Sequence, residues 1–273
     1  MKPITMKPNQ ILLIAGLSMS ALLFTACDKE DILPNTPAGP STGAPAPSTP
    51  QAPTPPPVTT SNVLKQFGTD IFKYDAQNRL VEVSYTFQAD LGYTVVYEGN
   101  RPARLNFKNG EYLLYTYNND KVEKAIVYFT DHQKKFDYTF AYNGDKLVKQ
   151  TTITYLGPNW EKTSISDFKY DASGNLTEQV IKWWLSDQPD VMRGPSTIKW
   201  GNYDNKPNPL PYALSSLYLP GVKLHTNNPG FRDPGLNKEL YTYTYHASGM
   251  PKDRTLKLEP YPEQPAYTET YNY

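Results

Sequence analysis

Apolar and polar residues alternate along most of the chain after residue 62. In the segment 135–142, aromatic side chains occupy every even position, and Lys, Asp, Thr and Ala occupy the odd ones. The segments 241–245 and 267–273 place Tyr at most odd positions, with Thr or Asn between them. A period of two is typical of a β-strand with one buried and one exposed face.

Turn residues separate the alternating segments. Examples are Gly99-Asn100, Asn109-Gly110, Asn143-Gly144 and Ser248-Gly249. Asn and Gly adopt the positive φ that two-residue hairpin turns need. The pattern therefore predicts an all-β domain over 62–273, an antiparallel β-meander of about 12–14 strands forming a barrel-like or strongly curved sheet.

One hairpin stands in the chain in two near copies, at 72–80 and 168–176. A Tyr precedes each of five turns, at Tyr74, Tyr97, Tyr117, Tyr142 and Tyr170, with spacings of 23, 20, 25 and 28 residues. This spacing indicates a repeated hairpin. The Tyr-Asp-x-x-Gly/Asn-x-Leu core resembles the repeat of the large YD-repeat shell proteins, which implies shared hairpin chemistry and no shared function.

The segment 203–209 reads Tyr-Asp-Asn-Lys-Pro-Asn-Pro. Following a run of hairpins, it is similar to a Bacteroidetes lipoprotein family of unknown function described as having a porin-like β fold. The resemblance covers about residues 65–273. It implies a many-stranded antiparallel sheet that closes or nearly closes on itself, and it supplies no catalytic residues.

Prolines interrupt the alternation at about 186–238. They are Pro189, Pro195, Pro207, Pro209, Pro211, Pro220, Pro229 and Pro234. Because Pro lacks the N–H of a central strand, we expect a long insertion here, with a short strand near 198–203 and a single helical turn near 212–219. It is interpreted either as a functional loop or as a plug over one mouth of the sheet, for which Leu210, Leu214 and Leu217 are suitable.

The N-terminus predicts export and lipidation. Residues 1–26 carry two Lys and then an uncharged run, as a signal peptide does. The run ends Leu-Leu-Phe-Thr-Ala-Cys, which resembles the lipobox of bacterial lipoproteins, so Cys27 is expected to be the acylated first residue of the mature protein. The remainder of 27–61 is rich in Pro, Ala, Ser and Thr and predicts a disordered tether.

The residues after Cys27 are Asp28, Lys29, Glu30 and Asp31. They resemble the signal that sends Bacteroidetes lipoproteins to the outer face of the outer membrane. An Asp directly after the acylated Cys also resembles the inner-membrane retention signal of enteric bacteria, and a solvated charge cluster is a third interpretation. We expect an outer-membrane lipoprotein at the cell surface, held to the membrane by its lipid.

Composition excludes several classes of function. The chain has 27 basic and 27 acidic residues, so it offers no reason to expect nucleic acid as a partner. His132, His225 and His246 show no metal-ligand spacing, and no nucleotide-binding or nucleophile motif is present. The sequence therefore predicts neither a metal nor a cofactor nor catalytic residues.

The aromatic surplus favours binding. With 22 Tyr, 10 Phe and 4 Trp, the chain offers Trp160, Trp183, Trp184 and Trp200 as candidate stacking residues for a ligand, although packing of the sheet also explains them. Neighbouring Trp183 and Trp184 should point to opposite faces of a strand, one of them into the core.

Taken together, the sequence predicts a lipid-anchored barrel whose outer face is too polar to span a membrane. Its expected function is that of a non-catalytic module that binds a glycan or a surface protein. A glycan-acting hydrolase with unrecognised carboxylates and a purely structural lipoprotein are the alternatives.

Overall fold

Sixteen antiparallel strands follow one another around a closed barrel in this computed structural model, which describes residues 63–211 and 217–273. The first eight are β1 (Gln66–Phe67), β2 (Asp70–Tyr74), β3 (Leu80–Tyr85), β4 (Tyr93–Glu98), β5 (Arg101–Phe107), β6 (Tyr112–Asn118), β7 (Lys121–Tyr128) and β8 (Lys134–Asn143). The others are β9 (Lys146–Gly157), β10 (Trp160–Tyr170), β11 (Leu176–Leu185), β12 (Gln188–Gly201), β13 (Phe231–Asp233), β14 (Glu239–Tyr245), β15 (Pro251–Leu258) and β16 (Tyr267–Asn272). One 3₁₀ turn, Ala89–Leu91, precedes β4.

Each strand pairs with its neighbour in the sequence, and β1 pairs with β16, where Phe67 lies opposite Tyr271. The predicted fold class is confirmed, and the sheet closes. The strand count exceeds the expected 12–14 partly because β1 and β13 have only two and three residues. Strands that short leave no alternation that a sequence pattern could reveal.

The aromatic face of the alternation turns into the barrel. Val83, Leu105, Leu113 and Leu147 are completely buried, and the Tyr and Phe side chains of the same faces pack against them. Burial of this apolar surface is the main stabilising contribution to the fold.

The opposite face is polar and carries ion pairs between neighbouring strands. In three examples, the distance from the lysine nitrogen to the carboxylate oxygen is 2.8 Å for Lys73 and Glu82, 2.9 Å for Lys124 and Asp137, and 2.6 Å for Lys169 and Glu178. A barrel that crosses a membrane needs an outward apolar band about 25 Å tall. The charged pairs of this face interrupt such a band at the three places where they lie. Within the described ranges, no helix has the length and hydrophobicity required to cross a membrane.

The predicted insertion at 186–238 is wrong at both of its boundaries. Strand β12 runs through Pro189 and Pro195, and β13 lies inside the predicted range. Pro195 is tolerated because the pairing of β11 with β12 is irregular between Ile181 and Trp183, so no ladder hydrogen bond is needed there. The connection between β12 and β13 is therefore 202–230.

This connection packs inside the barrel. Leu217, Leu219 and Leu224 are buried in the same core as the strand residues, and the Tyr115 hydroxyl of β6 donates a hydrogen bond of 2.6 Å to the carbonyl oxygen of Tyr218. Of the two interpretations offered by the sequence, the structure supports the plug. We call residues 202–211 and 217–230 the plug.

Candidate functional site

Tyrosine hydroxyl groups join successive hairpins at one mouth of the barrel. This mouth contains the connections that follow even-numbered strands, and we call it the turn mouth. The hydrogen bonds run from Tyr97 to the Leu80 carbonyl (2.9 Å), from Tyr117 to Pro102 (2.7 Å), from Tyr142 to Val122 (2.8 Å) and from Tyr170 to Leu147 (2.8 Å). Each acceptor opens, or lies next to the opening of, the return strand of the preceding hairpin. The repeated Tyr is thus a structural connector.

Basic side chains strengthen the same connections. The Arg79 guanidinium lies 4.3 Å from the Tyr97 ring centroid and donates a 2.8 Å hydrogen bond to the carbonyl of Gly99 in the next turn. Lys146 contacts the Tyr170 ring at 5.2 Å and donates to the carbonyl of Gly174 at 2.7 Å. Both cations are bound to a tyrosine ring and a carbonyl of the protein itself, so their contacts at the turn mouth stabilise the fold.

The segment 203–209 fixes the plug to the barrel wall. The Asp204 carboxylate accepts hydrogen bonds from the backbone N–H of Lys206 (2.9 Å) and Asn228 (3.1 Å), and from the Tyr245 hydroxyl. On the other side of the plug, the Asn227 N–H donates to the Asn175 side chain at 2.8 Å. The motif therefore has a structural role in this chain.

The four candidate Trp residues do not form one site. Trp160 is 43% exposed at the start of β10, while Trp200 lines the barrel interior with its ring 5.6 Å from that of His225. Trp183 and Trp184 lie on opposite faces of β11, and both are half-buried, so the expectation that one belongs to the core is not met.

The Trp183 ring is already in contact with two cations. The Lys162 ammonium and the Arg193 guanidinium, from the two neighbouring strands, lie 4.6 Å and 4.7 Å from its centroid. A ligand that stacks on Trp183 must displace one of them. Trp160, on the rim, is the most exposed of the four, and Trp200 lies in the interior beside the core.

Exposed apolar side chains concentrate at the second mouth, which contains the connections after odd-numbered strands. Of the twelve large hydrophobic residues that are exposed within 63–211 and 217–273, ten lie in these connections or in the strand ends beside them. We call them the rim: Phe87, Leu91, Phe129, Leu156, Trp160, Val191, Met192, Leu236, Tyr261 and Tyr267. Only Val96 and Leu114 lie elsewhere on the barrel wall. The sequence analysis missed the rim because single apolar residues in separate loops show no pattern along the chain.

The rim also carries carboxylates that are not neutralised. Within the described residues, Asp90, Asp187, Asp190 and Glu263 are exposed and form no ion pair. The rim bases Lys135 and Lys238 are paired with Glu111 and Glu259, at 2.6 Å and 2.7 Å. Arg193, next to Met192, also forms no ion pair within the described residues, so the rim combines apolar surface with exposed carboxylates and a nearby unpaired base.

A cavity of about 180 Å³, lined by charged, aromatic and aliphatic side chains, lies between the plug and the wall formed by β12 to β16. Its lining includes Lys223, Arg232 and Arg254 together with the rings of Trp200, Tyr241 and Tyr243. Arg232 pairs with Glu239 at 2.8 Å and Arg254 with Glu269 at 2.6 Å. Burial, assisted by the positive charge of Lys146, lowers the pKa of His225 in the same lining to about 4, so this imidazole is neutral at pH 7.

The carboxylates beside the cavity are paired with arginines. Glu239 and Glu269 each form an ion pair with an arginine of the lining, so neither carboxylate stands beside the cavity without a cationic partner. Among residues 63–211 and 217–273, no group of three His, Cys, Asp or Glu side chains could hold a metal ion.

Comparison with known proteins shows the fold only. No protein-family model and no curated protein sequence matches the chain. A porin-like protein from Bacteroides vulgatus is 13% identical, with a TM-score of 0.51 over 78% of this chain and 99% of that one. A porin-like protein from Bacteroides uniformis is 18% identical, with a TM-score of 0.48 over 75% of this chain and 88% of that one. The chain shares the barrel fold of the first; the family suggested by 203–209 stays a prediction.

Proposed function

We propose that this chain is an outer-membrane lipoprotein of the cell envelope whose barrel is a non-catalytic module that binds a glycan or another surface protein. The observation that carries the proposal is the rim, because large exposed apolar side chains gathered on one surface mark binding sites in proteins. A purely structural lipoprotein has no need of such a surface.

The anchor belongs to the same proposal. Cys27, the sorting residues Asp28, Lys29, Glu30 and Asp31, and the rest of the tether lie outside the described residues. The described chain begins at Val63, and β1 then runs toward the rim. Val63, the first described residue, therefore lies on the turn-mouth side of the barrel, away from the rim.

Hydrolysis of a glycan is the alternative that the paired carboxylates disfavour. Glu239 and Glu269 each have an arginine partner at the cavity, and the rim carboxylates are exposed to solvent, whereas a glycosidase needs two carboxyl groups that face each other across a bound sugar. A binding module needs no catalytic carboxyl group, so the paired and exposed carboxylates are consistent with binding.

Thermal shift and tryptophan fluorescence of the purified protein test the rim. The probes are soluble polysaccharides and peptidoglycan fragments, with product analysis on every hit. Trp160→Ala and Met192→Ala should remove the rise in melting temperature that a bound glycan causes. Val96→Ala, at a wall residue as exposed as Trp160, should leave this rise intact. Cleavage of the probe would refute the non-catalytic assignment.

A flat response to every glycan would leave the surface-protein form of the proposal to be tested in cells. A photo-crosslinker at position 192 should then give a defined adduct that the same group at position 96 does not give. If neither position gives an adduct and no glycan binds, the binding proposal is wrong. The anchor is tested separately: Cys27→Ala should abolish incorporation of labelled palmitate.

A further inference from the structure

The cavity between the plug and β12 to β16 is separate from the rim, and its chemistry differs. Cationic and aromatic side chains converge on it from the plug and from the wall. We infer that it is a binding site for a small organic anion with a single ring and a carboxylate, either a sugar acid or an aromatic acid. This inference goes beyond the proposed function and does not depend on it.

The charges that face the cavity leave an excess of positive charge. Arg232 and Arg254 are balanced by Glu239 and Glu269. Lys223 has no carboxylate partner among the described residues. Lys223 is an exposed member of the lining, and desolvation of its ammonium group together with the nearby charge of Lys146 lowers the pKa of Lys223. A bound carboxylate would supply the missing negative charge.

Arg254 is held in place before any ligand binds. Its Nε and Nη2 atoms approach one carboxylate oxygen of Glu269 at 2.7 Å and 2.6 Å, and its guanidinium lies 4.6 Å and 4.7 Å from the ring centroids of Phe67 and Tyr241. A guanidinium has five N–H donors, so these contacts leave donor capacity. Since the group is already ordered, binding an anion costs little side-chain entropy.

The remaining walls suit a flat ring. Trp200, Tyr241 and Tyr243 present aromatic surfaces, and Leu210 adds an aliphatic one. The volume of about 180 Å³ is below the roughly 300–1,000 Å³ of pockets for drug-sized ligands. One ring with one acidic group is therefore the size of ligand that the walls accommodate.

Calorimetric titration of the purified protein with two matched pairs tests the inference. The pairs are glucuronate with glucose and benzoate with benzamide, at constant ionic strength. At least one acid should bind at least tenfold more tightly than its neutral partner and quench Trp200, and the acid that binds identifies the source of the carboxylate. If neither acid binds, or if the neutral partners bind equally well, the cavity holds water only and the inference is wrong.

Substitution locates the binding. Lys223→Met should weaken the acid about tenfold or more, as expected for loss of a charged hydrogen bond. Lys257→Met, an exposed base on the same wall that does not line the cavity, should change nothing. Equal effects of the two substitutions would place the acid outside the cavity and refute the site. If Lys223→Met does not fold, the comparison of acid with neutral partner in the unmodified protein still decides. Rim substitutions should leave this binding unchanged, so the two proposals fail independently.

Discussion

Removing one tyrosine hydroxyl from the turn mouth should measure what each connection between hairpins contributes. Tyr142 is half-buried and donates a 2.8 Å hydrogen bond to the carbonyl of Val122, while Lys121 lies 5.5 Å from its ring centroid. In Tyr142→Phe the ring, its packing and its contact with Lys121 remain, and only the hydroxyl is lost. A hydrogen bond of this kind contributes about 0.5–1.5 kcal/mol, and a carbonyl left without its partner adds to the loss. We expect a decrease of about 1–2 kcal/mol in the free energy of unfolding.

Tyr138→Phe is the matched control. Tyr138 lies on the same face of β8, four residues away, with its ring 6.2 Å from that of Phe140. Burial raises the pKa of its hydroxyl to about 12, and no hydrogen-bond partner of that hydroxyl is found among the described residues. Its substitution should change the free energy of unfolding by less than about 0.5 kcal/mol.

Urea denaturation of both variants and the parent at pH 7 gives the comparison. For a domain of this size, a change of 1 kcal/mol corresponds to a shift of about 2–4 °C in Tm, so calorimetry provides a second measurement. Equal losses in the two variants would show that the hydroxyl of Tyr142 contributes no more than any interior hydroxyl. The interpretation of the repeated Tyr as a connector between hairpins would then be wrong.

Three further predictions concern the plug. Burial and the charge of Lys146 lower the pKa of His225 to about 4, so protonation of this imidazole favours the unfolded chain. The free energy of unfolding should therefore fall by about 2–3 kcal/mol as the pH decreases from 6.5 to 4. In His225→Gln, the urea midpoint should decrease less over the same pH range. Leu219→Ala should lower the free energy of unfolding by about 2–5 kcal/mol because Leu219 is completely buried. Leu236→Ala, at an 87% exposed position, should leave it nearly unchanged. Equal decreases in Tm for the two variants would contradict the buried position of the plug. Asp204→Ala should lower the free energy of unfolding by about 2–4 kcal/mol, because it leaves the donors of Asn228 and Tyr245 without an acceptor. Parental stability in Asp204→Asn would show that the acceptor need not be charged.

The alternation of residues was sufficient to predict the all-β class and the meander. A period of two is a local property, and so are the turns with Asn and Gly, such as Asn143-Gly144 before β9. The recurrence of Tyr before the turns was also visible in the sequence. Its hydroxyl contacts were not, because each one bridges to a hairpin about 15–23 residues earlier in the chain.

The sequence prediction was wrong where the tertiary structure overrides a local rule. Pro189 and Pro195 argued against a strand at 188–201, yet an irregularity in the pairing with β11 removes the hydrogen bonds that Pro cannot make. Strands β1 and β13 were too short for a pattern, although they complete the barrel.

The candidate sites depend almost entirely on tertiary structure. The rim gathers residues from six separate connections and the strand ends beside them, and the cavity brings Lys223 of the plug near Arg254 of β15. What the sequence by itself determined is the face of each strand, since that follows from neighbours one and two residues apart. Closure of the sheet decided the rest, because only closure places the loops of distant hairpins at one mouth and encloses the plug.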